Sequence, residues 1–270
     1  MQLSEPEFQH IVKYVKDRYG IELGRKRVLI AGRLENYLLR EGYESYGQYI
    51  EEVEKNPAGK EAGKLINVLT TNHTYFMREF EHMDYLKRVV LPWIMNVQRG
   101  KGRDVRIWSA ASSTGEEPYT IQMVLQDFFS LDEGWDTQIL ATDISTKVLQ
   151  KAKNGVYLEE QIRPLPENWK RHYLHKVGED QYQMKEELRE KIVFRQFNLM
   201  DEIPFRGLFH VVFLRNVMIY FDEETKRKLL DRIYEHIVAG GYLFIGTTES
   251  IGEITSHFQC LQPSVYRKVK

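Results

Sequence analysis

Four groups of polar residues stand where apolar runs end. Glu116 and Glu117 follow a turn of small residues, Ser109–Gly115, which itself follows Val105, Ile107 and Trp108. Asp143 closes a second apolar run, Asn198 follows a third, and Arg215-Asn216 ends a fourth. In an open α/β sheet, polar residues at the C-terminal ends of strands face a ligand crevice. A strand, a tight turn of small residues and a helix N-terminus make the standard site for a nucleoside cofactor there. An aspartate ending the second strand accepts hydrogen bonds from ribose hydroxyls. It can equally cap the following helix, a task that Ser145 can take instead. Acids in a first helical turn also favour the helix dipole, so Glu116 and Glu117 have a structural reading beside a functional one. The turn keeps only Gly115, with Ala110–Ala111–Ser112–Ser113 where a dinucleotide fingerprint needs glycines. A pyrophosphate requires close backbone approach, so that departure counts against NAD. Carboxylates in place of bare amides point to an adenosyl group without a pyrophosphate, and so to S-adenosylmethionine.

The elements that must position these groups fall into two kinds. The first ninety or so residues read as helices: one with Phe8, Ile11, Val12, Val15 and Tyr19 at helical spacing, stopped by Gly20; one over 25–40, stopped by Gly42; one over 46–55; and one from about Glu61. Met83–Gln98 reads as a further helix, interrupted or kinked at Pro92. From Asp104 the pattern changes. Strands are expected at 104–110, 138–144, 192–198, 209–216 and 241–248, alternating with helices near 116–130, 146–154 and 223–238, which implies a parallel sheet with right-handed crossovers. Phe258–Leu261 and Val265–Val269 read as a closing hairpin at one edge. The 37 residues Gly155–Lys191 break the alternation and read as an insert with short elements of its own, Tyr182 and Met184 alternating as a strand does.

A chain of 270 residues is comfortable for two domains, and an apolar fraction of 42% suffices for a sizeable core. A net charge of −1 draws the whole molecule to neither nucleic acid nor membrane. Cys260 is the one cysteine, so no intrachain disulfide forms, and it reads as a buried small apolar residue. The N-terminus lacks a basic region followed by an apolar run, and no stretch approaches the ~20 apolar residues of a membrane span. A cytoplasmic protein is expected.

The segments TTNHTYFMRE (70–79), WSAASSTGEEPY (108–119), ATDIS (141–145), FNLMD (197–201), LRNVMIYFD (214–222) and AGGYLFIGTTES (239–250) together resemble the CheR family, the chemotaxis-receptor glutamate O-methyltransferases. The resemblance runs in order over nearly the whole chain. It implies a class I S-adenosylmethionine-dependent methyltransferase fold, Rossmann-like and mostly parallel with a C-terminal hairpin, preceded by an all-helical domain and carrying a small β-subdomain insert. The implied division is a helical domain at 1–85, a linker helix and loop at 86–103, and a methyltransferase domain at 104–270 with its insert at about 155–191. It further implies that Asn72, Thr74, Arg78, Glu117, Asp143, Asn198, Leu199, Arg215 and Asn216 bind the cofactor. Arg78 would lie near its amino-acid end, and Tyr220 near the reacting methyl. Ser112 replaces the Cys or Ala often found before STGEE, a small-for-small change. The products would be a glutamate methyl ester and S-adenosylhomocysteine.

For that reaction no general base is required, since a glutamate with pKa near 4.3 is ionised at pH 7. No His/Cys/Asp set has metal-ligand spacing, so no metal is expected. Arg78 could orient the incoming carboxylate or hold the cofactor's own. Tyr220 could offer its ring to a sulfonium, a contact of ~1–2 kcal/mol when dry, or its hydroxyl to the glutamate. Residues 24–40 hold five basic side chains and one acidic, with Lys26, Arg33 and Arg40 seven apart. They read either as a solvated helix face or as a docking surface for the acidic methylation helices of a receptor. The insert resembles the subdomain with which some family members grip a receptor's C-terminal tether, but its central loop, Lys176–Gln181, is short and carries Glu179-Asp180. His73, His172 and His175 read as polar surface or packing residues. Three alternatives stand beside the receptor reading: a methyltransferase of the same fold with another acceptor, a receptor-binding or cofactor-sensing module with little turnover, and, poorly supported at a pI of about 6.7, a nucleic-acid methyltransferase. A monomer is expected.

Overall fold

The computed structural model describes residues 1–130, 132, 134–252, 254 and 257–269. Four helices open the chain: α1 (Glu5–Tyr19), α2 (Arg27–Glu41), α3 (Tyr46–Lys55) and α4 (Lys60–Leu69). Each has a local reason to start or stop. Ser4 and Glu7 form a reciprocal capping box on α1, Ser45 caps α3, and Gly20 and Gly42 end α1 and α2 at φ +71° and +83°. Their apolar faces meet in one cluster that includes Ile11, Ile30, Leu34, Tyr49 and Leu65.

After them come α5 (Glu81–Tyr85), a π-helical turn at Leu86–Val90 and α6 (Leu91–Val97), followed by β1 (Ile107–Ala110), α7 (Glu116–Phe129), β2 (Ile139–Asp143), α8 (Thr146–Asn154), β3 (Val156–Leu158), α9 (Glu159–Ile162), α10 (Glu167–Tyr173), β4 (Leu174–Lys176), β5 (Gln181–Met184), α11 (Glu186–Arg189), β6 (Ile192–Gln196), β7 (Phe209–Leu214), α12 (Glu223–Glu235), β8 (Ile237–Ile245), β9 (Phe258–Gln262) and β10 (Val265–Lys268). Seven strands form one sheet in the order β6-β2-β1-β7-β8-β10-β9. The first five pair in parallel, and β10 and β9 add antiparallel. Strand order reverses between β1 and β7, which places the ligand crevice of the sheet at their C-terminal ends. In the insert, β3, β5 and β4 form a small antiparallel sheet. This is the class I methyltransferase topology expected from sequence.

Alternate residues of the central strands feed opposite faces. Ile107, Val211 and Phe213 join one cluster with α5, α6 and α7, where Phe213 and Phe244 stack at 4.7 Å. Trp108, Val212 and Leu214 join the other, with Leu229, Leu230 and Ile233 of α12. Trp108 is fully buried, and its Nε1–H donates to Thr142 Oγ1 at 2.9 Å. A buried indole donor requires such a partner.

The interruption expected at Pro92 is present as a π turn just before it, with Leu91 N–H bonding to Leu86 O, which accommodates the missing proline donor. Two other expectations change in detail. The last helix ends at Glu235, because β-branched Ile237 and Val238 pass directly into β8, with Ile237 pairing Phe209. Cys260 is exposed, since β9 is an edge strand that turns the side chain outward.

The helical bundle is pinned against the sheet through the loop after β6 and the start of α12. Arg18 pairs with Asp201 at 2.7 Å, Lys16 with Asp222 at 3.0 Å, and Ser145 Oγ donates to Asn67 Oδ1 at 2.6 Å. Gly20 sits in this seam in a left-handed conformation. A Cβ there would stand 2.6 Å from Met200 Sδ and 2.9 Å from Thr225 Cγ2. Gly20→Ala should therefore cost about 1–3 kcal/mol, read as a lower urea midpoint at unchanged slope. An unchanged midpoint would show that the seam yields freely.

Candidate active site

The turn after β1 is built from left-handed residues: Ala111 at φ +60°, Ser113 at +50° and Gly115 at +98°. Gly115 is required by space as well, because a Cβ would meet Tyr157 Oη at 2.8 Å and Ala152 Cβ at 2.9 Å. Tyr157, on β3 of the insert, donates its hydroxyl to Thr114 O at 2.7 Å, so the insert holds this turn directly. Asp143, at the end of β2, holds it from the other side. Its Oδ2 accepts Ser113 N–H and its Oδ1 accepts Ser145 N–H, each at 2.9 Å. Burial pushes the Asp143 pKa up, while those amides pull the other way. Ser145 Oγ caps α8 by accepting Val148 N–H at 3.3 Å, so Asp143 is not spent on capping.

At the end of β7, the Arg215 side chain is almost fully buried between two carboxylates. Its Nη1 donates to Glu117 Oε2 at 3.0 Å, its Nε to Glu79 Oε2 at 3.2 Å, and its Nη2 to the Arg78 carbonyl at 2.6 Å. Glu117 also accepts from Ser109 Oγ at 2.7 Å. Glu79 further accepts from Asn216 Nδ2 and Thr247 Oγ1, both at 3.2 Å. Burial pushes Glu117 up in pKa; Glu79, opposed by burial but facing Arg215 and Asn216, is held below the usual carboxylate range. Arg78 lies between two left-handed residues, Met77 at φ +65° and Glu79 at φ +50°. Such conformations persist where the surroundings over-determine them, and here the Arg215 bond to the Arg78 carbonyl does so. Glu79 carried no signal in the sequence beyond its place in the TTNHTYFMRE segment.

Asn72, Thr74, Arg78, Glu117, Asp143, Asn198, Leu199, Arg215, Asn216 and Tyr220 all line one cleft at the β1/β7 switch point, together with Lys26. Its empty space is about 1240 Å³, open mouth included. Several of these residues are already engaged. Asn198 Nδ2 donates to Arg18 O at 2.9 Å, and Leu199 O accepts from Arg232 at 2.6 Å. Asn72 Nδ2 donates to Thr70 Oγ1, and Asn72 O accepts from Ser113 Oγ at 2.9 Å. Arg78 Nη1 donates to His73 O, and its guanidinium lies 5.6 Å from the Tyr75 ring. Lys26 Nζ lies 5.5 Å from the Tyr220 ring centroid, reaching across from the N-terminus of α2. The structure does not present Lys26, Arg33 and Arg40 as one free stripe. Arg33 donates to the carbonyls of Val68, Leu69 and Thr70 and so closes the C-terminus of α4, while Arg40 is exposed beside Glu41. His73 lines the cleft; His172 and His175 are exposed on the insert. Among the described residues no group of three or more His, Cys, Asp or Glu could hold a metal ion. No helix among them is long and apolar enough to cross a membrane.

Behind Glu79 stands His82, buried, with Nδ1 3.5 Å from Glu79 Oε2 and Nε2 2.6 Å from Ser264 Oγ. Burial, reinforced by Arg215, pushes its pKa down to about 4. The unfolded chain, with histidine near 6.5, therefore takes up this proton first as pH falls, and folding stability is lost between about pH 6.5 and 4. The contribution is on the order of 1–3 kcal/mol. In His82→Gln the fall in urea-unfolding stability between pH 6.5 and 4.5 should be smaller by that amount, and an identical fall would contradict a neutral buried His82.

Residues 72–267 match the family model described as CheR methyltransferase, SAM binding domain, and residues 6–70 match the CheR methyltransferase all-alpha domain. A chemotaxis protein methyltransferase of Borreliella burgdorferi is 37% identical, over 99% of this chain and 96% of that one. The Escherichia coli protein of the same name is 34% identical, over 98% and 92%. With a cleft of this composition at the switch point of a class I sheet, and matches of this extent, the chain belongs to the CheR methyltransferase family.

Proposed function

We propose that this protein transfers the methyl group of S-adenosylmethionine to glutamate side chains in the cytoplasmic helical bundle of chemotaxis receptors, giving glutamate 5-O-methyl esters. One observation carries the reading: ten residues drawn from segments far apart in sequence, Asn72 to Tyr220, line a single cleft in a chain whose relatives are named chemotaxis methyltransferases. We divide the chain accordingly into a helical domain at 1–85, a linker at 86–103 and a methyltransferase domain at 104–270 with an insert at about 155–191. We place it in the cytoplasm as a monomer.

The donor set suits an adenosyl cofactor. A carboxylate has about four acceptor sites; Asp143 meets the backbone amides of Ser113, Ser145 and Ile144 and keeps acceptor capacity for a ribose hydroxyl. Asn72, Thr74, Glu117, Asn198, Leu199, Arg215 and Asn216 would complete the pocket, with Arg78 at the amino-acid end. S-adenosylmethionine, bound there, supplies an electrophilic methyl on a sulfonium sulfur. The protein's part is then alignment and exclusion of water, since the acceptor carboxylate arrives ionised and needs no base. Arg78 and Lys26 bring positive charge to the mouth, where they would receive and orient an anionic side chain. Tyr220 lines the same cleft beside Lys26, with an aromatic face for a cation and a hydroxyl 3.5 Å from Thr71 O. Beyond the mouth, Lys26 and the exposed Arg40 give α2 positive charge for acidic receptor helices, an attraction that salt would screen, while Arg33 is spent on closing α4.

Two measurements check this. Receptor cytoplasmic fragments incubated with labelled S-adenosylmethionine should gain label that mild base removes and that Glu→Ala changes at the methylation sites abolish. Calorimetric cofactor binding without any such label would remove the acceptor assignment and leave a cofactor-sensing module. Asp143→Asn, which turns an amide N–H donor toward a backbone donor, should weaken cofactor binding by about 10- to 100-fold, following a loss of ~1.4–3 kcal/mol.

A further inference from the structure

The segment between β7 and α12 carries Asn216 and Tyr220 into the cleft, yet it has little regular structure with which to hold itself. It contains one 3₁₀ turn of three residues, Met218–Tyr220, and its entry residue Asn216 is left-handed at φ +56°. Short 3₁₀ turns have poor hydrogen-bond geometry and do not persist alone. One side chain from the loop after β8 supplies what is missing. Glu249 Oε2 accepts Gly246 N–H at 2.7 Å and Asn216 N–H at 2.9 Å, and its Oε1 accepts Ile219 N–H at 3.1 Å. The carboxylate thus ties the end of β8 to both ends of the Asn216–Ile219 segment. The packing leaves no slack: a Cβ on Gly246 would stand 2.8 Å from Glu249 Oε2 and collide with Asn216 Nδ2. Glu249 itself is not among the residues that line the cleft.

We infer that Glu249 is a positioning residue for methyl transfer, which fixes the Tyr220 side chain over the reacting centre by holding the backbone of the Asn216–Ile219 segment. This rests on the proposed reaction for its kinetic consequence but not for its structural one. Burial pushes the Glu249 pKa up and the backbone amides of Gly246, Asn216, Ile219 and Met218 oppose that, in keeping with a carboxylate whose charge is answered by oriented amides.

Glu249→Gln separates positioning from general stability. Its carbonyl oxygen can keep the two amides of Gly246 and Asn216, which leaves its NH₂ facing the Ile219 N–H, so the variant releases the Tyr220 side of the segment alone. The expected kinetic result is a drop in kcat of about 10- to 100-fold, with calorimetric affinity for S-adenosylhomocysteine within about threefold of wild type. Backbone amide exchange by NMR, which needs no acceptor, should show Asn216, Ile219 and Gly246 protected together in the wild-type protein, and Ile219, but neither Asn216 nor Gly246, accelerated at least tenfold in the variant. Unchanged kcat and unchanged Ile219 exchange would overturn the inference. So would parallel losses of kcat, cofactor affinity and melting temperature, which describe a merely structural role. Should the variant not fold, wild-type exchange still decides: an Ile219 amide as fast as a free loop contradicts the tie. A wild-type protein that labels no receptor fragment defeats the proposed acceptor, while the exchange data still judge Glu249.

Discussion

The burial of Arg215 is the constraint on which the rest of the site depends. A guanidinium removed from water requires its donors to be answered, and a carboxylate removed with it requires the same. Glu117 comes from the N-terminus of α7, Glu79 from the segment before α5, and the Arg78 carbonyl from the residue just before Glu79. Each of the three donor nitrogens of Arg215 is answered by one of these groups. Buried ion clusters of this kind are weak evidence for stability, because desolvation offsets most of the attraction. What they confer is definition: the segment carrying Asn72, Thr74 and Arg78 has one place to be against the ends of β1 and β7.

The same constraint explains why the helical bundle and the sheet share a cleft instead of merely touching. The Thr70–Glu79 segment leaves α4, crosses the mouth and is caught by Arg215 at its far end. Arg33 closes the C-terminus of α4 just where that crossing begins. On the opposite rim, Glu22 N–H donates to Tyr220 O at 2.9 Å, and Lys26 extends over the Tyr220 ring. The cleft is thus walled by both halves of the chain, and neither half alone would exclude water from it.

Much of this was legible in the sequence, and the reasons are specific. The central strands announce themselves as apolar runs because a parallel sheet is buried on both faces. Asp143, Asn198 and Arg215 could be singled out because they stand at the ends of those runs. Glu79 and Glu249 could not. Each acts through left-handed backbone or through amides of a segment remote in the chain, and neither signal has a local period. Arg33 misled for the opposite reason: seven-residue spacing places it on a face with Lys26 and Arg40, but only the position of α4 shows that its guanidinium is committed. The exit of α12 into β8 without a loop was hidden because Ile237 and Val238 continue the helical pattern of apolar residues. Cys260 was misplaced because edge strands relax the link between residue type and burial.

Tyr157 bears on the history and engineering of the fold. The insert was legible as an interruption, something added to a sheet that is complete without it. Yet its first strand lends a hydroxyl to the turn at the floor of the cleft and fills the space that obliges residue 115 to be glycine. The insert is therefore no detachable cassette. Excising it, or grafting a foreign one at the same junction, would leave the turn short of a keystone, so the two can only be exchanged as a pair.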